Sequence, residues 1–381
     1  MKIAIIGLGY VGRSIVTAAV DAGHSVIGFD TNSDVVSSLS ITGDFKGTTD
    51  AALLGESEVV VIAVPTPLDE ARKPDLSAVN AACRTIIEYV ENPALVINES
   101  TSYPGTLRNE IAGVIEKASG LGHMYASSPE RVDPGNEKWT QKNTPRLLAG
   151  LTPEATALAR KFYSSFCEQI IEVSTPEVAE AAKLFENTFR QVNIALVNEF
   201  AQISDALDIP TREVLDAAAT KPFGFMSFQP GPGVGGHCIP VDPSYLAYVA
   251  EIVGVPAEFI KRANEVNLGM PAFVVSRVVK DVGLLKGKKV VVVGIAYKAN
   301  VSDTREAPAA LVIEEIKKLG AEVSWHDPVV GTWNGQNSSE LNDFDVAIVV
   351  TKHDVVSEAA IKSSAAYVFD CTGSIKGVAG I

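Results

Sequence analysis

The apolar residues of the chain recur in short runs that end in glycine, proline or an acid, and these runs alternate with stretches of helical periodicity. The run KIAII at residues 2–6 ends in glycines, a helical pattern follows from Gly12 to about Ala22, and SVIGFD forms a second strand. Further apolar runs follow up to residue 130, namely EVVVIAVP, ALVINES and HMYASSPE. Strands alternating with helices predict an α/β fold with a parallel, doubly wound sheet.

The pattern changes at Thr175, where a long helix is predicted to run to about Leu207 with Thr175 as N-cap and Pro176 in its first turn. Shorter helices are predicted over 211–220 and about 242–253, with a glycine-rich loop between them. From residue 288 the sequence KKVVVVGIAYKANVSDTRE returns to strand, glycine and helix, but without GxGxxG. We therefore expect a second Rossmann-like unit that binds something other than a dinucleotide.

Composition and charge narrow the possible partners. A formal net charge of −14 and a pI near 4.9 disfavour nucleic acid and anionic membranes as partners. The four cysteines lie far apart without CxxC, so we expect neither a disulfide framework nor a metal site, and a reducing, cytoplasmic setting. The chain opens on a strand and turn rather than a secretory leader, and no apolar run approaches the roughly 20 residues that span a bilayer.

The turn GLGYVG matches a dinucleotide fingerprint. Gly7 is expected to make the tight turn, Gly9 to let the pyrophosphate approach and Gly12 to pack helix on strand, and Tyr10 and Val11 are expected to contact the cofactor. An acid, Asp30, ends the next strand, where it can bind the adenosine ribose hydroxyls and repel a 2′-phosphate. The pattern indicates NAD rather than NADP; the alternative is a structural glycine turn.

The loop PGPGVGGHCIPVDP places one thiol, Cys238, among glycines and ahead of Asp242. The other cysteines lie in apolar or strand contexts and are interpreted as small buried hydrophobes. Next to an NAD domain, a positioned thiol indicates oxidation of an aldehyde to an acid through a thioester, which a simple alcohol dehydrogenation does not need. The adjacent His237 is either a structural residue or a group that biases the thiol towards thiolate.

On the long helix, Lys183, Asn187 and Arg190 recur on one face. Lys183 and Asn187 stand among apolar neighbours, which favours a site-facing pair that stabilises an oxyanion. A solvated face is the alternative for both, and for Arg190 we expect a solvated position or a dimer contact.

Seven motifs together resemble one family, and they follow one another over nearly the whole chain: GLGYVG, VPTPL, ESTSYPGT, SSPERVDPGN, AKLFENTFRQVNIALVNE, PGPGVGGHCIPVDPSYL and GIAYKANVSDTRE. In this set and order they resemble the UDP-glucose/GDP-mannose dehydrogenase family, the nucleotide-sugar 6-dehydrogenases. The stretches ESTSYPGT, PERVDPGN and FGFMSFQPGPGVGGHCIPVDP look most like the branch acting on UDP-N-acetylglucosamine.

The resemblance implies three domains: an NAD-binding Rossmann domain over 1–174, a central all-helical domain over 175–278 that carries the cysteine loop and makes a homodimer, and a UDP-sugar-binding Rossmann-like domain over 279–381. It implies that two NAD+ oxidise C6 of a UDP-sugar from alcohol to carboxylate. The family's catalytic roles fall on Cys238 as nucleophile, Lys183 and Asn187 as oxyanion-stabilising pair, and Asp242, Thr101 and Glu130 in water and proton handling.

Further contacts are implied by the same resemblance. Cofactor contacts fall on Pro65, Thr66, Thr101 and Arg305, and substrate contacts on Glu130, Arg131, Lys183, Asn187, Phe228, Pro230, Gly231, Gly235 and Lys298. The segment from Phe228 to Gly236 matches the loop that closes over the sugar. The chain departs from the family in a shortened segment after Asp30, and in Pro134 where the UDP-glucose branch has a second glutamate.

The sequence leaves alternatives for the sugar, for the reaction and for activity itself. The sugar is a UDP-N-acetylhexosamine, with UDP-N-acetylglucosamine favoured, or else UDP-glucose or UDP-N-acetylmannosamine. A two-electron hydroxyacid dehydrogenase would share the first two domains but give Cys238 no role. An inactive NAD-binding subunit would have no physical reason to keep a polar cluster among apolar neighbours.

Overall fold

The computed structural model describes residues 1–133, 136, 138–236 and 238–381. The chain divides into two compact units, the first made of Met1–Glu186 with Ser244–Val255 and the second of Asn187–Pro243 with Pro256–Ile381. The three domain bounds expected from the sequence stay a prediction. Each unit is described by itself.

Unit 1 is built on one sheet with the strand order β3-β2-β1-β4-β5-β6-β7-β8. Its strands are β1 (Lys2–Ile6), β2 (Ser25–Phe29), β3 (Phe45–Thr48), β4 (Val59–Ile62), β5 (Leu95–Asn98), β6 (Met124–Ser127), β7 (Arg146–Gly150) and β8 (Ile170–Glu172). Neighbouring strands are parallel except β6 and β7, which pair antiparallel through Ala126↔Gly150 and Ser127↔Ala149. The predicted parallel sheet is therefore confirmed over β1 to β6, and the reversal at β7 is an addition to it.

The helices of unit 1 cover both faces of this sheet. They are α1 (Tyr10–Asp21), α2 (Ser33–Ser37), α3 (Ser77–Tyr89), α4 (Gly113–Ser119) and α5 (Pro153–Tyr163), with a 3-10 turn at Ala51–Leu54 and a π-helical segment at Thr106–Ala112. Two separate apolar clusters lie on the two faces, one around Ile3, Val61 and Phe162, the other around Ile6, Val60 and Ile86. Strands buried on both sides account for the continuous apolar runs in the sequence.

Four helices follow, α6 (Pro176–Ala206), α7 (Thr211–Ala219), α8 (Asp242–Ile252) and α9 (Glu258–Val282). The bounds of α6 agree with the predicted long helix within one residue at each end. Thr175 caps it as predicted, because its Oγ1 accepts a hydrogen bond from the Val178 N–H at 3.4 Å. Residues 242–252 of α8 also match their prediction.

Unit 2 contains a second parallel sheet with the strand order β10-β9-β13-β14-β15. Its elements are β9 (Lys289–Val293), α10 (Pro308–Lys318), β10 (Glu322–His326), β13 (Phe344–Val349), α11 (Glu358–Ser364), β14 (Ala365–Asp370) and β15 (Ala379–Gly380), with a small hairpin of β11 (Thr332–Trp333) and β12 (Gln336–Asn337). The expected second Rossmann-like unit is therefore present, and the strand order reverses beside β9.

Candidate active site

Several residues predicted to bind the cofactor, and Glu130, predicted for catalysis and substrate binding, follow the carboxyl ends of neighbouring strands in unit 1. Gly7 and Gly9 come after β1, and Pro65 and Thr66 after β4. Thr101 follows β5, and Glu130 follows β6. Because these strands are parallel and adjacent, their carboxyl ends meet at one edge, beside β1 and β4 where the strand order reverses. That edge is where open α/β sheets bind ligands.

The fingerprint glycines divide into two that the fold requires and one that it does not. Gly7 has φ +95°, and a Cβ there would lie 2.5 Å from the Ala63 carbonyl oxygen. A Cβ on Gly12 would lie 1.9 Å from the Gly7 carbonyl oxygen. A Cβ on Gly9 would meet nothing within 4 Å. The open space at Gly9, together with the N-terminal N–H groups of α1, fits a pyrophosphate.

Asp30 follows β2 and shapes the same turn. Its Oδ2 accepts the Leu8 N–H at 2.8 Å and its Oδ1 accepts the Asn32 N–H at 2.9 Å. Each carboxylate oxygen can accept a second hydrogen bond, so Asp30 can hold the turn and still accept from ribose hydroxyls.

Glu130 lies in a buried polar cluster that the sequence did not predict. Its Oε2 accepts hydrogen bonds from Arg146 Nη2 at 3.1 Å and from the Gln141 amide, and its Oε1 accepts the N–H groups of Arg131 and Val132 at 2.6 Å. Burial alone would raise the pKa of Glu130, but Arg146, Gln141, Val132 N–H and Lys183 together lower it below its usual value. Glu130 is therefore held as a carboxylate.

A second acid, Glu99, shares the same arginine. Glu99 is fully buried, accepts a hydrogen bond from the Tyr163 hydroxyl, and has Oε2 3.0 Å from Arg146 Nη1, an ion pair without hydrogen-bond geometry. Burial raises the pKa of Glu99 to about 7, against the opposing effect of Arg146. Arg146 lowers the pKa of both acids, but burial prevails at Glu99 and the added hydrogen-bond donors prevail at Glu130.

Arg131 and Lys183, both predicted substrate contacts, also belong to unit 1. Arg131 forms an ion pair with Glu186, with Nη2–Oε1 at 2.6 Å and Nε–Oε2 at 3.1 Å, and donates to the Pro145 carbonyl. Lys183 is partly buried on α6, and its charge contributes to the lowered pKa of Glu130. The structure therefore brings Lys183 and Glu130 into one electrostatic environment.

In unit 2, Cys238 precedes α8 and is partly exposed, whereas Cys83, Cys167 and Cys371 are buried as expected. The Cys238 carbonyl accepts the N–H groups of Val241 at 3.1 Å and Asp242 at 2.8 Å. Asp242 is buried and accepts a hydrogen bond from Asn187 Nδ2 at 2.5 Å. Three of the predicted catalytic residues, Cys238, Asn187 and Asp242, are therefore joined through hydrogen bonds.

The glycines before Cys238 let the loop lie close to Tyr297 and Pro308 within unit 2. A Cβ on Gly235 would lie 2.8 Å from Tyr297 Cβ and from Pro308 Cδ, and one on Gly236, at φ +88°, 2.8 Å from the Tyr297 ring. The Gly236 N–H donates to the Arg305 carbonyl at 3.1 Å. Phe228, at the other end of the loop, packs its ring 6.0 Å from that of Phe189.

Lys298 and Arg305 both lie in the segment that follows β9, at the carboxyl end of a strand beside the reversal of strand order. Lys298 is partly buried. Arg305 binds Asp303 through Nη2–Oδ2 at 2.5 Å, and the pKa of Arg305 is raised by Asp303 first and also by Tyr297 and Cys238. Arg305 and Cys238 therefore share one electrostatic environment in unit 2.

Sequence reasoning missed Arg146, Gln141 and Glu99. The signal for Glu99 was an acid directly after an apolar strand run, and for Arg146 a lone cation at the start of another. His237 and Pro134, which were singled out in the sequence, lie outside the described residues. Within the described ranges, no cluster of His, Cys, Asp and Glu could hold a metal ion, and no helix has the length and apolar character needed to cross a bilayer.

The chain matches the UDP-glucose/GDP-mannose dehydrogenase family in three segments: the NAD binding domain over residues 33–167, the central domain over 177–268 and the UDP binding domain over 291–377. Protein CapL of Staphylococcus aureus is 39% identical over 351 residues, covering 86% of this chain and 82% of that protein. The UDP-N-acetyl-D-glucosamine 6-dehydrogenase of Pseudomonas aeruginosa is 37% identical over 358 residues, covering 87% and 83%.

Among solved structures, the chain resembles that of UDP-D-ManNAc dehydrogenase from Pyrococcus horikoshii, with a TM-score of 0.90 and 32% identity, over 100% of this chain and 99% of that one. The family resemblance, the α/β architecture and the NAD cofactor predicted from the sequence are confirmed. The chain belongs to the UDP-glucose/GDP-mannose dehydrogenase family of NAD-dependent nucleotide-sugar dehydrogenases.

Proposed function

We propose that the protein oxidises the C6 hydroxymethyl group of a UDP-N-acetylhexosamine to the carboxylate, with UDP-N-acetylglucosamine as the favoured substrate. Two of the three relatives named above, from Pseudomonas aeruginosa and Pyrococcus horikoshii, carry N-acetylamino sugars in their names, which supports the acetamido group at C2. UDP-N-acetylmannosamine and UDP-glucose are the alternatives. The observation that carries the reaction type is Cys238, the one partly exposed cysteine, hydrogen-bonded through its backbone to Asp242 and through Asp242 to Asn187.

The proposed chemistry needs the thiol in the second half of the reaction. The turn of Gly7 and Gly9 with Asp30 would hold NAD+, which would supply the hydride acceptor for both oxidations. The Cys238 thiolate adds to the C6 aldehyde to give a thiohemiacetal, whose oxidation gives a thioester that water hydrolyses to the acid and the free thiol. One N–H of the Asn187 amide is held by Asp242, so the other can donate to the oxyanion together with Lys183.

The remaining polar residues would handle water and protons. Glu130 is held as a carboxylate by Arg146 and its backbone N–H donors, which suits it to accept a proton from water and to position the sugar. Thr101 would hold the same water, and Asp242 would act with Lys183. The UDP group would bind the segment after β9 through Lys298, and the sugar would lie under Phe228, Pro230, Gly231 and Gly235.

The test is the number of NADH molecules formed per sugar consumed, measured with UDP-N-acetylglucosamine, UDP-N-acetylmannosamine, UDP-N-acetylgalactosamine and UDP-glucose. We expect two NADH per sugar and a strong preference for one N-acetylated substrate. Cys238→Ala should form no uronate, whereas Cys83→Ala, at a buried cysteine of unit 1, should keep the stoichiometry. Uronate formed by Cys238→Ala would contradict the thioester route, and one NADH per sugar would favour a two-electron dehydrogenase.

We further propose that the protein is a homodimer formed through α6. Val178, Phe185, Phe189, Leu196 and Ile203 are all exposed on this helix, with Phe185 and Leu196 at 65% and 63% exposure. At 100° per residue, their spacing of seven, four, seven and seven residues places them within about 40° of one another. A continuous apolar stripe on a 31-residue helix is typical of a surface that a second subunit covers.

A further inference from the structure

The peptide between Pro230 and Gly231, at the start of the loop proposed to cover the sugar, is held from two sides by side chains. The Gly231 N–H donates to Asn198 Oδ1 at 2.9 Å. The Pro230 carbonyl accepts from Arg212 Nη2 at 3.4 Å. Since the six atoms of a peptide unit lie in one plane, holding its N–H and its C=O fixes the direction in which the chain leaves it.

Asn198 is itself held in one orientation. Its side chain is fully buried on α6, and its Nδ2 donates to Asn267 Oδ1 at 2.9 Å. Asn267 in turn donates from Nδ2 to the Gln191 carbonyl at 3.3 Å. Because each amide donates through its nitrogen, the Asn198 oxygen is the atom left to face Gly231. A buried amide costs free energy unless it is satisfied, so this chain of amides fixes both the side chain and the loop.

Arg212, on α7, joins the same peptide to the second sheet. Its Nη1 donates to Gln229 Oε1 at 2.8 Å, and its Nη2 also donates to the Cys371 carbonyl at 3.0 Å, directly after β14. Its Nε donates to the Ile381 carbonyl at 3.1 Å. A planar guanidinium holds several acceptors in fixed directions, which a lysine cannot do.

The held peptide lies seven residues before Cys238, and the chain between them has little room to absorb a change. Gly233 is confined by the Asn267 carbonyl, 3.1 Å from where its Cβ would be, and Gly235 and Gly236 by Tyr297. The Gly236 N–H is bound to the Arg305 carbonyl. A rotation of the Pro230–Gly231 peptide would therefore displace the loop as far as Gly236, two residues before the thiol.

We propose that Asn198 and Arg212 are positioning residues, which act through the Pro230–Gly231 peptide to set the substrate loop and, at its far end, the approach to Cys238. The role in catalysis rests on the proposed function, in which this loop covers the sugar. The effect on the position of Cys238 does not, because it follows from the hydrogen bonds alone.

The test uses Asn198→Ala and Arg212→Lys in the full chain, with Asn193→Ala as matched control. Asn193 is on the same helix, and its Nδ2 donates to the Phe189 carbonyl of that helix rather than to the loop. Loss of one hydrogen bond to the loop should raise KM for the UDP-sugar about tenfold in each variant. The KM for NAD and the yield of NADH per sugar should stay within twofold of wild type, and Asn193→Ala should change neither.

A second readout needs no turnover. Cys83, Cys167 and Cys371 are buried, so iodoacetamide should report on Cys238, and mass spectrometry of the alkylated peptide identifies the site. A loosened loop should speed alkylation severalfold in Asn198→Ala and Arg212→Lys. If Asn198→Ala does not fold, Arg212→Lys decides, since Arg212 is only partly buried.

The outcomes separate the two proposals. Folded variants with unchanged sugar KM and unchanged alkylation would overturn the positioning role and reduce both residues to structural ones. If the wild type makes one NADH per sugar, the proposed four-electron reaction fails. Faster alkylation of the two variants would still uphold the positioning role.

Discussion

The two buried glutamates that share Arg146 behave as opposites because their other neighbours differ. Glu130 has two backbone N–H donors and the Gln141 amide, all of which favour the carboxylate, and Lys183 adds its charge. Glu99 has the Tyr163 hydroxyl on one oxygen and a poorly aligned Arg146 contact on the other. One cation can therefore keep Glu130 charged while burial still raises the pKa of Glu99.

Because the pKa of Glu99 is raised, the free energy of unfolding should depend on pH. Its folded-state pKa of about 7 exceeds the usual 4.5, so the native state binds the proton more tightly than the unfolded chain. The contribution to stability is fully present below pH 4.5 and is lost as pH rises to 7. Inside that window one such group changes the free energy of unfolding by up to about 1.4 kcal/mol per pH unit.

Glu99→Gln should therefore remove part of the fall in stability between pH 4.5 and 7. The measurement is urea unfolding at half-unit intervals of pH, because the slope against pH reports the protons bound in each state. Glu70→Gln, at an exposed acid of unit 1, is the control and should leave the slope as in wild type. An unchanged slope in Glu99→Gln would mean that Glu99 does not take up the proton. Glu180, whose pKa burial also raises to about 7, should contribute to what remains.

At the scale of elements, the two sheets carry the same turn in two versions. Gly7 N–H binds the Phe29 carbonyl and Leu8 N–H binds Asp30; in the second sheet, Gly294 N–H binds the His326 carbonyl and Ile295 N–H binds Asp327. Asp327 differs in having no capacity left for a ligand. It also accepts from the N–H groups of Ala296, Val329 and Val330 and from His353, and it is fully buried.

The difference between Asp30 and Asp327 explains why the first turn is the one suited to a dinucleotide. Burial alone would raise the pKa of Asp327, but His353 and the backbone donors lower it to about 2. Asp327 is thus a structural anion that closes its own turn. Asp30 is partly exposed and accepts one N–H on each oxygen, which leaves it acceptor capacity.

The first turn allows a prediction that separates glycines required by the ligand from those required by the fold. Gly9→Ala should leave the free energy of unfolding within about 0.5 kcal/mol of wild type, because its Cβ meets no protein atom. NAD binding should weaken at least tenfold, because the methyl group fills the space that fits the pyrophosphate. Denaturant unfolding without NAD and a fluorescence titration with NAD measure the two effects separately.

Gly12→Ala is the matched variant. It should lower the free energy of unfolding, whereas Gly9→Ala should lower the affinity for NAD. Its Cβ would lie 1.9 Å from the Gly7 carbonyl oxygen, so helix and strand must separate and the protein should lose several kcal/mol. Equal NAD affinity in wild type and Gly9→Ala would show that the cofactor does not approach this residue.

The same elements show what the sequence can predict. β1, β2, β4 to β6 and α6 were predictable because buried parallel strands and a capped helix have strong local patterns. The fingerprint residues and Cys238 were predictable because glycine spacing and the thiol's surroundings are local. The antiparallel β7 and the short β3 were not, since pairing direction depends on chain path and not on a residue pattern.

Contacts made across long sequence separations were beyond a single sequence as well. Arg146 reads as an ordinary first residue of a strand, and its role depends on Glu99 and Glu130 lying beside it in space. Asn198 reads as a polar residue of a long helix, and only the fold brings it to Gly231 and Asn267. A lone cation at the start of a strand is the only local sign of Arg146, and the roles of both residues depend on partners that lie 16 to 69 positions away.

At the scale of the whole molecule, the apolar stripe of α6 favours association, whereas the net negative charge of the chain opposes it. A chain with a net charge of −14 repels its own copies at long range, so association needs a surface whose apolar burial outweighs that repulsion. The stripe offers five large apolar side chains on one helix face. It also touches the substrate loop, because Phe189 packs against Phe228. Covering the stripe would therefore restrict the loop as well.

Leu196→Glu and Ile203→Glu should convert a dimer into monomers, since a carboxylate buried in an apolar interface loses its hydration without gaining a partner. Light scattering coupled to size exclusion should give about 40 kDa for each variant and twice that for wild type, given a chain mass of 40.3 kDa. Leu284→Glu is the matched control: Leu284 is 83% exposed outside the helices, and the same change in charge there should leave the mass unchanged. Because Phe189 links the stripe to the loop, the monomers should also bind the UDP-sugar more weakly than the control. If the wild type has the mass of one chain, or if both variants remain dimers, the proposed dimer through α6 is contradicted. The stripe would then be a surface for another partner.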